Sequence, residues 1–202
     1  RNLTGEHHYP LIQKGNASAN NNYDWRLYFS GTTTNEYIWW DTAGGGPGLT
    51  GPIVEETYKW YHVAVCKDNT NIRMYFNGIL GPTASWSGGD VDDAYTEICL
   101  GHANHGGAGD TWLDGEITDA RVYVGRAKYT SDFIPDSSKL PAIVKDTPSG
   151  VVYSSELEKP EYGAVTFGQE AGYMTVPENA DWDFGTGDYT AEAWVYMTGT
   201  DN

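Results

Sequence analysis

Apolar and polar residues alternate with a period of two along much of this chain. That period describes strands, in which successive side chains point to opposite faces. The organising case is Gly115–Val124, G-E-I-T-D-A-R-V-Y-V. It places Ile117, Asp119, Arg121 and Tyr123 on one face and Thr118, Ala120, Val122 and Val124 on the other. Asp119 and Arg121 can be buried there only if they find partners. The aromatic run that follows, through Tyr129, Phe133 and Pro135, is expected to fold back over the sheet end.

Tyr23, Trp25, Leu27 and Phe29 share one face of a second half-buried strand. In Tyr58–Lys67, Trp60, His62, Ala64 and Cys66 alternate with Tyr61, Val63 and Val65. A turn at Asp68–Asn71 and a returning strand over Ile72–Asn77 make this a β-hairpin, and Asn77-Gly78 begins another tight turn. Leu11–Ile12, Glu36–Asp41 and Glu97–Gly101 supply shorter strands. Trp39 and Trp40 are strand neighbours and must face opposite ways, so at most one belongs to the core. Gly44–Gly48 is a loop; without a following Lys-Ser/Thr and helix it does not read as a phosphate cradle.

Four of these segments, with their order and spacing, carry a resemblance. Trp60-Tyr61-His62-Val63-Ala64-Val65, Met74-Tyr75-Phe76-Asn77-Gly78, Leu100-Gly101 and Gly115–Tyr123 resemble the laminin G-like, concanavalin A-like lectin/glucanase domains. The tail Ala127–Pro135 is most similar to the version in tailed-phage structural and fibre proteins. The resemblance implies an all-β, antiparallel two-sheet jelly-roll sandwich; it does not imply a particular ligand.

The far end of the chain resembles the same family out of order. Gly163–Phe167, Gly172–Pro177 and Asp183–Tyr196 look like its opening strands, yet here they come last. The expected organisation is a sandwich over 1–140 lacking its opening strands, a proline-bearing linker over 141–162, and those strands over 163–202. One repeat of a tandem array, a circular permutation, or a subunit whose last strands complete a neighbour would each explain the order. Residues 163–202 are expected to pack beside Leu11–Phe29 of this chain or another. Trp194, Tyr196, Leu11 and Ile12 are the assembly candidates.

Charge narrows the partners. Twelve basic residues against 28 acidic ones give a formal net charge of -16, which repels nucleic-acid phosphates and anionic lipid. No apolar run reaches the ~18 residues of a membrane helix, so membrane insertion is not expected. The only cysteines, Cys66 and Cys99, fit either two buried thiols or one disulfide. Asn2-Leu3-Thr4 and Asn16-Ala17-Ser18 match the glycosylation sequon, which matters only in a eukaryotic secretory setting.

Candidate chemistry is sparse. The resembling hydrolases present carboxylates as Glu-x-Asp-x-x-Glu; Glu116…Asp119 and Glu156…Glu158 miss that spacing, so catalysis is not expected. His62, on the Trp60 face, reads as a core imidazole. Trp86 and Trp112 fall in predicted loops near His102, Asn104 and His105, and these five are the glycan-binding candidates. Aromatic rings suit the apolar faces of sugars, though packing alone explains any single tryptophan. Asp90, Asp92 and Asp93 are weak metal candidates, since such an acidic loop is more often solvated than metal-ligating. Calcium-binding relatives place acids where this chain has His and Asn, so no cofactor is assigned and calcium stays open. The expectation is a non-enzymatic structural or adhesion module of a virion or extracellular fibre, decoration or filament. Its partners would be other copies of itself or neighbouring subunits; binding of cell-surface glycans is the alternative.

Overall fold

The computed structural model describes residues 7–15, 23–32, 35–43, 46–54, 58–87, 95, 97–104, 110–135, 164–167, 172–177, 182 and 184–197. These form two six-stranded sheets and a small two-stranded one. The strands are β1 His7–Gly15, β2 Tyr23–Thr32, β3 Asn35–Thr42, β4 Leu49–Ile53, β5 Trp60–Lys67, β6 Asn71–Phe76 and β7 Ile79–Ser85. They continue as β8 Ile98–Leu100, β9 His102–Asn104, β10 Asp110–Trp112, β11 Gly115–Val124, β12 Val165–Phe167, β13 Met174–Val176 and β14 Tyr189–Met197. The first sheet runs β13-β8-β1-β2-β3-β4, the second β12-β11-β14-β5-β6-β7, with every pair antiparallel.

The core lies between the sheets. Trp25, Leu27 and Phe29 of β2 meet Val63 and Val65 of β5 and Tyr189, Ala191, Ala193 and Val195 of β14 in one buried cluster. Trp40 is fully buried while Trp39 is half-buried, as their alternation requires. Cys66 and Cys99 are both buried thiols, not joined in a disulfide, and stand in different sheets.

The C-terminal strands enter both sheets. β14 occupies the middle of the second, in register with β11 on one side and β5 on the other. β12 and β13 take the two edges, against β11 and β8. Among the described residues the expected neighbour, Leu11–Phe29, is met across the core, where Phe184 stacks on Trp25 at 5.0 Å. Residues 141–162 lie outside the described residues.

Two alternations fail at bulges. In β11, Thr118 pairs with Trp194 but Arg121 pairs with Glu192, so Asp119 and Ala120 together oppose one residue of β14. Asp119 takes a positive φ of 53° at this bulge. The phase of β11 therefore reverses: Ile117 lies in the core, and Ala120 and Val122 pack against it. Arg121 and Tyr123 face outward, contrary to the uniform alternation. The Asp119 carboxylate binds the Arg121 guanidinium at 2.6 Å. In β1, a shift between Pro10 and Ile12 turns the consecutive Leu11 and Ile12 both inward.

The tail after β11 covers a sheet face rather than the sheet end. Residues 125–135 form a strap over the outer side of the second sheet, where Tyr129 and Phe133 pack on Ala64, Cys66 and Tyr75. The Asn77-Gly78 turn of the β6–β7 hairpin has positive φ at both residues, 52° and 80°. A Cβ on Gly78 would collide with the Phe133 carbonyl, so this glycine serves the turn and the strap together.

Candidate functional site

The sequence candidates Trp112 and His102 are brought together by the small sheet. β8 ends at Leu100, and Gly101, with a φ of 77°, re-aims the chain into β9. β9 and β10 then pair so that Trp112 stands opposite His102. Their rings are 5.1 Å apart at 30°. A third ring, Tyr173, also approaches His102, at 5.0 Å and 30°. It precedes β13, which pairs with β8. His102 is buried, Trp112 half-buried, and Tyr173 remains 49% exposed. The result is a three-ring stack with an open outer ring, an arrangement suited to an apolar sugar face.

Tyr173 was missed because its surroundings, Gly172-Tyr173-Met174, read only as strand material. Nothing in sequence spacing links it to a histidine 71 positions earlier (173 − 102). Asn104 is in β9, its backbone opposite Asp110. His105, Asp90, Asp92 and Asp93 lie outside the described residues. Among the described residues no group of three His, Cys, Asp or Glu side chains could hold a metal ion.

Trp86 is a core ring, not a platform. Its backbone N–H donates to the Thr70 carbonyl at 2.8 Å, which turns the indole inward after β7. There it meets Tyr189 edge-on and lies under Lys67. Its indole packs so closely that a Cβ on Gly46 would clash with it. The assembly candidates are also largely buried: Leu11 and Ile12 lie in the core between the sheets, and Trp194 is buried outside it, beside His62. Tyr196 is half-buried beside Trp60 at 5.3 Å.

The densest ionic cluster lies under the strap. Lys128 Nζ donates to Glu192 Oε1 at 2.6 Å, and His62 Nε2 is 3.5 Å from Glu192 Oε2. The Lys128 backbone N–H donates to Thr190 Oγ1 at 2.8 Å. Burial alone would raise the Glu192 pKa; hydrogen bonds from His62 and Lys128 outweigh it and hold the carboxyl at about 2. Burial also pushes the Cys66 thiol up to about 11, so it is protonated at neutral pH. His62 sits edge-on between Phe133 and Trp194. His62 and Glu192 are both buried beneath the strap, where His62 Nδ1 and Glu192 Oε2 make no hydrogen bond.

On the outer face of the first sheet, Arg26 lies over the rings of Tyr23 and Tyr28 at 4.0 and 4.6 Å. It also pairs with Asp41 at 3.0 Å. Tyr23 donates to the same carboxylate at 2.8 Å. Burial, followed by the Asp41 interactions, lifts Tyr23 to about 12 despite the opposing Arg26 charge.

A laminin G-like family model, described as the concanavalin A-like lectin/glucanases superfamily, matches residues 2–128. The chain belongs to this superfamily. The match ends within the strap, so β12–β14, which occupy positions in both sheets, lie beyond it. No curated protein and no solved structure matches the chain. The superfamily membership and the twin antiparallel sheets agree on a lectin/glucanase-type sandwich, and the aromatic stack is a local feature of this chain's own surface.

Proposed function

We propose that this domain is a non-enzymatic adhesion module of a virion or extracellular fibre, and that it contacts neutral saccharide through Trp112, His102 and Tyr173. The observation that carries this reading is the tilted stack of three rings whose outermost member, Tyr173, is half exposed. A sugar's C–H face can extend such a stack, and the chain's net charge of -16 disfavours anionic glycans. The non-enzymatic part is supported by where carboxylates are committed. Asp119 is bound to Arg121, Glu192 to Lys128, Asp68 to Arg73 and Asp41 to Arg26. A hydrolytic pair needs one free acid and one free base facing a shared cleft. The virion or extracellular setting rests on the resemblance of Ala127–Pro135 to tailed-phage fibre proteins.

Titration of the protein against a panel of neutral and acidic oligosaccharides tests the reading. Saturable binding of a neutral member that is lost in Trp112→Ala is expected. Binding of none, or release of reducing ends from a β-glucan, would overturn it.

A further inference from the structure

Trp25 Nε1, Trp40 Nε1, Thr42 Oγ1 and Tyr189 Oη are buried and have no hydrogen-bond partner among the described residues. Register and ring contacts bring their side chains to one end of the core. Trp25 of β2 stands opposite Thr42 of β3. The two indoles stack at 5.3 Å, and Trp40 meets the ring of Tyr189, in β14, at 5.7 Å. Trp86 closes the group. It meets Tyr189 edge-on at 6.5 Å, and its indole and Thr42 Oγ1 both lie 2.6 Å from the place of a Cβ on Gly46. Trp25, Trp40 and Tyr189 are 0% exposed and Thr42 6%, so bulk solvent does not reach these atoms. The nearby cation is not their partner. Lys67, opposite Tyr189 in β5, donates to the Thr186 and Gly187 carbonyls at 2.9 and 3.3 Å and lies over Trp86. A buried donor or acceptor without a partner forfeits the bond it makes to water in the unfolded chain, and native interiors rarely hold several together.

We propose that this end of the core binds ordered water, which bridges the two indole N–H groups to the hydroxyls of Thr42 and Tyr189. The chemistry of the four groups selects the ligand. An indole N–H only donates, so its partner must accept; a hydroxyl does both. Water accepts and donates in equal measure, and a buried water molecule ordinarily makes about three such bonds. An inorganic anion accepts only. It would suit the indoles but not Asp188 Oδ1, a buried acceptor on the residue before Tyr189 that also has no partner among the described residues. Trp25, Trp40 and Thr42 belong to the first sheet and Tyr189 to the second, so the water is a polar tie between layers otherwise joined here by ring packing. It stands where the chain enters β14, beside Phe184 on Trp25 and beside the turn that Lys67 holds. The site is separate from the ring stack at His102, and the proposal does not rest on the saccharide reading.

Magnetic resonance of the unmodified chain tests this without any variant. Direct cross-relaxation from water to the Trp25 and Trp40 indole protons is expected, although neither side chain meets bulk solvent. Its absence at both indoles would overturn the proposal. Unfolding equilibria give a second readout. Tyr189→Phe removes one partner of the water and should lower the folded-to-unfolded ratio about fivefold, as should Thr42→Val. Because both hydroxyls bind the same water, the double variant should lose less than the two single losses combined. A Tyr189→Phe protein more stable than the parent would reject the bridge, since removing a hydroxyl that has no partner is a gain. Strictly additive losses would reject it too. Stability that rises with chloride at constant ionic strength would assign the site to an anion and overturn the choice of water.

Discussion

His62 and His102 are both buried histidines flanked by two aromatic rings, and they do opposite things. His62 meets Phe133 and Trp194 edge-on, at 84° and 74°, with Glu192 beside it and the strap above. His102 meets Trp112 and Tyr173 at 30°, and its outer neighbour is open to solvent. Edge-on rings close a pocket around an imidazole, whereas inclined faces continue a stack outward. The difference separates a structural histidine from a candidate contact surface, although both residues sit beside a tryptophan in the register of adjacent strands.

The largest effect should come from breaking the closed pocket. Glu192→Ala leaves Lys128 and His62 without their shared carboxylate, and removing one partner of a buried pair costs about 3 kcal/mol or more. Thermal or urea unfolding should show that loss. A shift no larger than that of a surface variant would show that the pocket contributes little. The same carboxylate sets a pH dependence. Its folded pKa, about 2, lies below the ordinary 4.5. The contribution is therefore fully present above about 4.5 and disappears as pH falls toward about 2. Glu192→Gln should flatten the acid limb of a stability–pH profile in that window. Equal acid sensitivity in both proteins would assign the limb to other groups.

A smaller loss is expected where the strap meets the hairpin. Gly78→Ala places a side chain at a φ of 80° and against the Phe133 carbonyl, whose own N–H donates to the Gly78 carbonyl at 2.9 Å. Left-handed strain of this kind costs about 1–3 kcal/mol. Hydrogen exchange should quicken at Phe133 and across the strap before it quickens in β11. Uniform acceleration would mean that turn and strap are not separable from the sheet.

How much of this was legible depends on the range of the interaction. The β5–β6 hairpin was readable because its signal is local: alternation, then Asp68, which accepts from Thr70 N and Asn71 N to shape the turn. The Asn77-Gly78 turn was readable for the same reason. The face assignment of β11 failed at Asp119, since a single bulge reverses every later residue and leaves no mark on composition. Trp86 was misplaced because a tryptophan after a strand looks alike whether it turns in or out. Its direction is fixed by a bond to Thr70, across the β6–β7 hairpin. Trp112 and His102 were named from their types, but their meeting depends on the β9–β10 register, and Tyr173 joins from a strand paired to β8. Single-chain periodicity carries none of those long-range choices.

The smallest energetic effect falls on the open stack, and it discriminates most finely between the two histidines. Tyr173 is 49% exposed, so Tyr173→Ala removes little buried area and should change stability by no more than about 0.5 kcal/mol. Stacking of an aromatic ring contributes about 1 kcal/mol, so saccharide affinity should fall about fivefold in the same variant. Phe should restore it, because the proposed contact uses the ring face and not the hydroxyl. The corresponding change beside His62, Phe133→Ala, removes a ring that packs on Ala64, Cys66 and Tyr75, so it should lower stability while leaving affinity untouched in the folded fraction. If instead Tyr173→Ala destabilised the fold and left binding unchanged, the inclined stack would be packing like the edge-on one, and ring angle would have no bearing on which histidine faces a ligand.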